Sequence, residues 1–149
     1  MDAFIDMLPP RYLDDAAGFF FRTAQDDGRP LTSIDSGLVA WRAMRGMRHA
    51  VAALAAQGNE LIVDEVLVGD DKADYVRLLA TFDLRLVGVH CPLPVLEQRE
   101  QARGDRRLGL ARWQFDKVHA GMDHDVVVDT SAGSPKECAQ AVMQALGLR

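Results

Sequence analysis

Leu61-Ile62-Val63 runs directly into Asp64-Glu65, and Leu84-Arg85-Leu86-Val87-Gly88-Val89 repeats the pattern of a short apolar run rich in Leu, Ile and Val. Each reads as a strand buried on both faces, since a strand covered on one face alone would alternate apolar with polar side chains. Between them, Asp70 to Phe82 spaces Tyr75, Leu78, Leu79 and Phe82 along one side of a helix. A strand, a helix and a strand in that order call for parallel strands joined by a helical crossover.

The rest of the chain continues the alternation. Upstream, Leu38, Trp41, Met44, Met47, Val51 and Leu54 recur at steps of three and four, predicting an amphipathic helix over about 36–57. Asp35 or Ser36 is its candidate N-cap, and Gly58 supplies the left-handed stop. Downstream, Pro92 and Pro94 suit the first turn of a helix that runs to Arg103 and ends at Gly104. Another helix is predicted from Leu110 to His119, a third strand at Val126-Val127-Val128, and a last helix to Leu146. Ser134 and Glu137 form a capping box for that helix, with Pro135 at its first position. The turn-rich stretch Gln25–Ser33, with Asp26-Asp27-Gly28-Arg29-Pro30, is expected to be a surface loop. The fold class is α/β, a doubly wound parallel sheet. Its ligand is expected beyond the carboxyl ends of the strands, where Asp64, Glu65, His90 and Asp129 lie.

With 149 residues, one domain spanning 1–149 is expected. A net charge of -5 and a pI near 5.3 argue against a nucleic-acid backbone as partner. The longest apolar run, Ala50–Ala56, falls far short of the roughly 20 residues of a bilayer span. The amino end has no basic, apolar export signal, so a soluble cytoplasmic protein without membrane association is expected. Cys91 and Cys138 show neither metal nor redox spacing and are expected to be buried free thiols.

Two stretches carry chemistry. Asp64, at the end of an apolar run, resembles the second acidic motif of P-loop NTPases, where a carboxylate holds a hydrated Mg²⁺. In the otherwise acidic chain, Arg99, Arg103, Arg106 and Arg107 crowd onto one helix and turn. Guanidinium forks match phosphate oxygens bidentately, whereas a merely solvated basic face would pair with Glu97, Glu100 and Asp105. His119, Asp123, His124 and Asp125 are close in sequence, but no pair has an established ligand spacing, so no metal site is expected there.

Taken together, several blocks resemble the chloramphenicol phosphotransferase family. They are 61–67, Val87-Gly88-Val89-His90-Cys91, the run from Arg99-Glu100 through Arg103-Gly104-Asp105-Arg106, Gly109 with Gln114, and His119 followed by Asp125–Thr130. The resemblance spans the chain, is thinnest over about 12–35, and is most specific in the Arg-Glu-x-x-Arg-Gly-Asp-Arg block. It implies a P-loop-kinase-like sheet and transfer of the γ-phosphate of ATP, with Mg²⁺, to a hydroxyl of a small molecule. By the same resemblance Asp2 is the candidate general base, Arg103 and Arg106 are lid residues that contact ATP, and Arg99 assists or orients them. The lid covers about 99–120, and Asp64 reaches Mg²⁺ through water.

The sequence contains no Gly-x-x-x-x-Gly-Lys-[Ser/Thr] and no Gly-Lys dipeptide. That loop supplies the backbone N–H groups and the lysine that cradle phosphates, so the chain as written is expected to be inactive. In the resembled family the loop precedes the segment matching Met1-Asp2. The sheet is therefore expected to be incomplete at its N-terminal side, without its first strand, loop and first helix. On the order of 30 further residues would supply them, and a misassigned translation start would explain their absence. Two other readings stay open: a non-catalytic remnant that binds nucleotide or a partner chain, including a copy of itself, and a kinase of the same fold with another acceptor.

Overall fold

The structure is a computed structural model and describes residues 1–148. A short helix, α1 (Asp2–Ile5), and a 3-10 turn at Pro10–Tyr12 lead into β1 (Phe19–Asp26) and β2 (Arg29–Ser36). Then follow α2 (Leu38–Ala56), α3 (Asp71–Leu78), β3 (Val87–His90), α4 (Leu93–Arg103), α5 (Leu110–Phe115), β4 (Val126–Asp129) and α6 (Pro135–Ala145). The protein is α/β, with two small sheets among the described residues. No helix among the described residues is long and apolar enough to cross a membrane.

β3 and β4 pair in parallel, from Val87 opposite Val126 to His90 opposite Asp129, with α4 and α5 in the crossover between them. This is the predicted rhythm. The burial is not the predicted one, because Val89 and Val127 are both more than half exposed. Val127 stands opposite Gly88, so the two valines project from opposite faces, and the two-stranded sheet is partly open on each.

The opening stretch departs further from expectation. Residues 61–66 run without regular structure, Leu61 and Val63 are exposed, and Ile62 is fully so. A β-prone run becomes a strand only when a neighbour takes its N–H and C=O groups, and no strand among the described residues does so. The Asp64 carbonyl instead accepts from the Met1 ammonium at 2.9 Å. Further on, Leu67 and Leu84 turn inward and pack, with Ala52 and Ala55, on a core of Val51, Tyr75 and Leu79.

The expected loop at 25–33 is a β-hairpin. β1 and β2 pair antiparallel from Phe19 opposite Ser36 to Asp26 opposite Arg29. Asp27 and Gly28 turn the chain with φ of 47° and 72°. Positive φ at both central residues matches the twist of the flanking strands, and Asp-Gly is a favoured pair for such a turn. Turn residues thus marked the tip of a hairpin and not a loop.

Among the helices, α2 lies within the predicted span, but Leu38, Trp41 and Leu54 stay exposed while Ala40, Met47, Arg48 and Val51 are buried. α3 and α5 stop short of their predicted ends at Phe82 and His119. α6 carries the predicted capping box, in which Ser134 accepts from the Glu137 amide and Glu137 accepts from the Ser134 amide. Cys91 is buried, but Cys138 only half so, and both are free thiols.

Candidate functional site

α4 is closed by Gly104, whose φ of 69° suits the left-handed stop that a residue without Cβ adopts at no steric cost. The reversal carries Asp105 and Arg106 back beside Arg103. Together with Asp2, Ile5 and Asp6 of the amino end they line an open cleft of about 350 Å³. Arg106 Nη2 lies 3.7 Å from Asp2 Oδ2, which joins the two ends of the cleft. Arg103 grips Asp105 with two contacts of 3.2 Å, Nε to Oδ1 and Nη2 to Oδ2. The Arg103 hydrogen bond holds the Asp105 carboxyl below the usual carboxylate range. Both partners are more than half exposed, so water screens the pair and it holds the Arg103 guanidinium only weakly.

The turn between Arg103 and α5 is firmly held. Glu100, buried, accepts from the amides of Gly109 at 2.7 Å and Ala111 at 2.8 Å, satisfying donors at the start of α5 that the helix leaves open. The Thr32 hydroxyl donates to the Leu108 carbonyl at 2.7 Å, and the Thr32 amide to the Gly109 carbonyl at 3.2 Å. Arg107 donates to Asp14 at 2.6 Å and lies 4.4 Å from the centroid of the Phe21 ring. Adjacent arginines therefore diverge: Arg106 faces the cleft and Arg107 fastens the turn to the hairpin.

Gly109 shows how closely the turn and hairpin meet. Its φ is +89°, and a Cβ there would lie 2.3 Å from the Pro30 carbonyl oxygen. Gly109→Ala is expected to lower stability by about 1–3 kcal/mol from backbone strain alone, with the clash adding to it. Urea unfolding should show the loss, and an unchanged midpoint would mean that the hairpin is not seated on this turn.

Of the residues assigned from sequence, Asp2, Arg103 and Arg106 come together in the cleft, while Arg99 and Asp64 lie outside its lining. Arg99 donates to the Thr130 hydroxyl at 3.1 Å and the Thr130 carbonyl at 2.6 Å, and it reaches Cys91 Sγ at 3.6 Å. Its guanidinium thus ties α4 to the end of the parallel pair. Asp64 is exposed and borders a second depression with Met1, Phe4, Met47 and Leu61–Val63. Its neighbour Glu65 turns inward to Arg48, at 3.1 Å. Trp41 is half exposed, with the Arg45 guanidinium 5.4 Å from its ring centroid.

Sequence reasoning missed the carboxylates Asp6 and Asp105 as cleft walls and Glu100 as the brace beneath it. Glu100 is an ordinary helix glutamate in sequence, and only the returning chain gives it two amides to bind. Asp125 is likewise structural, accepting from the Leu86 amide at 2.7 Å. His119, through Nε2, meets the Val89 carbonyl at 3.2 Å, and burial with His90 and His124 nearby holds its pKa below the ordinary value.

A family model described as "Chloramphenicol phosphotransferase-like protein" matches residues 1–147. Two relatives from strains of Mycobacterium tuberculosis, "Putative O-phosphotransferase Rv2636" and "Putative O-phosphotransferase MT2714", are each 28% identical over 146 residues. Each alignment covers 94% of this chain and 65% of the relative, so the chain spans slightly under two thirds of these proteins.

Proposed function

The chain belongs to the chloramphenicol phosphotransferase-like family, and on that premise we propose that it carries the arginine lid and the general base of an ATP-dependent O-phosphotransferase acting on a small, chloramphenicol-like alcohol. The observation that supports this reading is the cleft where Asp2, from the amino end, meets Arg103 and Arg106, from about a hundred residues along the chain. Two exposed guanidinium groups beside a carboxylate combine an anion grip with a proton acceptor, which phosphoryl transfer to a hydroxyl requires.

The arginines fit a phosphate chain, which Arg103 and Arg106 would hold. Asp64 would meet Mg²⁺ through water, but it borders a second depression outside the arginine cleft, so the structure gives the ion no site beside those arginines. Bound ATP supplies the γ-phosphoryl group. Asp2 would take the proton of the acceptor hydroxyl as its oxygen bonds to the γ-phosphorus and the bond from that phosphorus to the β–γ bridging oxygen breaks, and the arginines would offset the charge that collects on the departing ADP. In this reading β3 and β4 belong to a doubly wound parallel sheet, and 1–149 is one kinase-like domain whose lid covers about 99–120. Because residues 1–149 hold no Gly-Lys dipeptide, this stretch by itself lacks the phosphate cradle and is inactive alone.

The test compares residues 1–149 with the protein translated from the nearest in-frame start upstream, each given Mg-ATP labelled at the γ-phosphate and a panel of alcohols including chloramphenicol. Label should move to an acceptor in the longer protein only. Stop codons upstream together with no transfer by either protein would favour a nucleotide- or partner-binding role without catalysis.

A further inference from the structure

We propose that His90, His119 and His124 form a binding site for a zinc-class divalent cation, with three imidazole ligands and one open position. The chain has four histidines, and these three, from the end of β3 and from the segment between α5 and β4, bring their ligand atoms within 4.8 Å of one another. His90 and His119 stack with ring centroids 3.9 Å apart, and His124 meets His119 edge-on at 5.2 Å.

Three features point to a cation rather than to packing alone. First, Nδ1 of His119 is buried without a hydrogen-bond partner, which a cluster assembled only for packing would have no reason to accept. Second, its other nitrogen, Nε2, sits 3.2 Å from the Val89 carbonyl. An N–H there donating to that carbonyl leaves the lone pair on Nδ1, the arrangement by which metal-binding imidazoles are oriented from behind. Third, β3 has a glycine where the His124 ring lies. A Cβ on Gly88 would approach His124 Cγ to 2.9 Å, so this position on the strand admits the imidazole.

The chemistry selects the ion. Neutral imidazole suits zinc and its late first-row neighbours, whereas calcium and magnesium seek oxygen. Zinc–nitrogen bonds of about 2.0–2.1 Å in a tetrahedron place ligand nitrogens roughly 3.4 Å apart. Closing from the present spacing requires the stacked His90 ring to turn about its side chain. The bound ion would clamp the 119–124 segment to β3. None of the three histidines lines the arginine cleft, so the site is separate from it.

The experiment titrates Zn²⁺ into residues 1–149, purified without a histidine tag, and follows Co²⁺ as a coloured substitute. One equivalent should bind, with the strong visible absorption of four-coordinate cobalt, and the thermal midpoint should rise with added Zn²⁺. His124→Ala and His90→Gln should each weaken binding by at least about a hundredfold, beyond the roughly 10- to 100-fold typical of an outer partner. Gly88→Ala should weaken it by displacing His124, and His49→Gln, on α2, should leave it unchanged. Circular dichroism of each variant separates ligand loss from unfolding. Absence of stoichiometric binding by the unsubstituted chain, or binding indifferent to the folded His124→Ala and His90→Gln proteins, would overturn the proposal.

Discussion

Replacing Arg48 by methionine is expected to cost about 3–5 kcal/mol of stability at neutral pH, the penalty typical of removing one partner from a buried ion pair. The Arg48 side chain is 3% exposed and the Glu65 side chain 4%. Arg48 meets Glu65 at 3.1 Å, Asp71 at 2.8 Å and Asp74 at 3.6 Å, joining α2, the unpaired 61–66 segment and α3 around one guanidinium. Burial pushes the Glu65 carboxyl above its ordinary 4.5, while the Tyr75 hydroxyl and then Arg48 draw it part of the way back. Even so, Oε2 of Glu65 and the Tyr75 hydroxyl lack well-directed hydrogen bonds. Without Arg48, the carboxylate keeps its desolvation and loses its counterion, so its folded pKa rises further.

The sign of the pH dependence follows. A raised carboxyl pKa means that the folded state holds the proton more tightly than the unfolded one, so stability falls as pH rises from about 4.5 through the folded value. The Arg48→Met defect should therefore be largest at neutral pH and shrink in acid, once Glu65 is protonated in both states. Urea unfolding at pH 7 and pH 4 measures this. Adding Glu65→Met should restore much of the loss, because an apolar pair of similar volume replaces the ion pair without leaving a stranded charge. A change within about 1 kcal/mol for Arg48→Met at neutral pH would mean that the pair is hydrated and not buried.

On the phosphotransferase reading proposed above, Arg106→Ala is expected to lower phosphoryl transfer by a protein extended in frame upstream at least about a thousandfold, as the loss of an arginine that offsets transition-state charge does. The loss should fall on kcat more than on KM, because the charge it offsets develops during transfer. Arg106→Lys should recover only part of the rate, since an ammonium cannot offer the planar fork. Asp2→Asn keeps the shape of the partner while removing its basicity, and it should also depress kcat. If Arg106→Ala raised KM alone, the residue would serve ground-state binding and the lid role would fail.

The hairpin, the cleft and the unpaired segment show how far local pattern reached. α2, α4, β3, β4 and α6 were legible because spacing, prolines, Gly104 and the capping box act over a few residues. The same kind of signal lay in Asp27-Gly28, yet turn residues alone do not say whether the flanks pair. The density of arginines marks the stretch from Arg99 to Arg107, while resemblance alone singles out Arg103, Arg106 and Asp2 within the chain. That Asp2 meets Arg106 is visible only in the structure, since no local rule joins residues so far apart.

What the amino-acid sequence determined by itself was α2, α4, β3, β4 and α6 in their order and the stretch that gathers positive charge, since propensity, capping and charge act between near neighbours. Only the tertiary structure decided which Arg-block side chains face the cleft, that Arg48 is buried with Glu65, that Leu61–Val63 forms no strand and that three histidines converge. Each depends on which distant backbone or side chain comes to lie alongside, and chain closure over tens of residues leaves no periodic trace in the sequence.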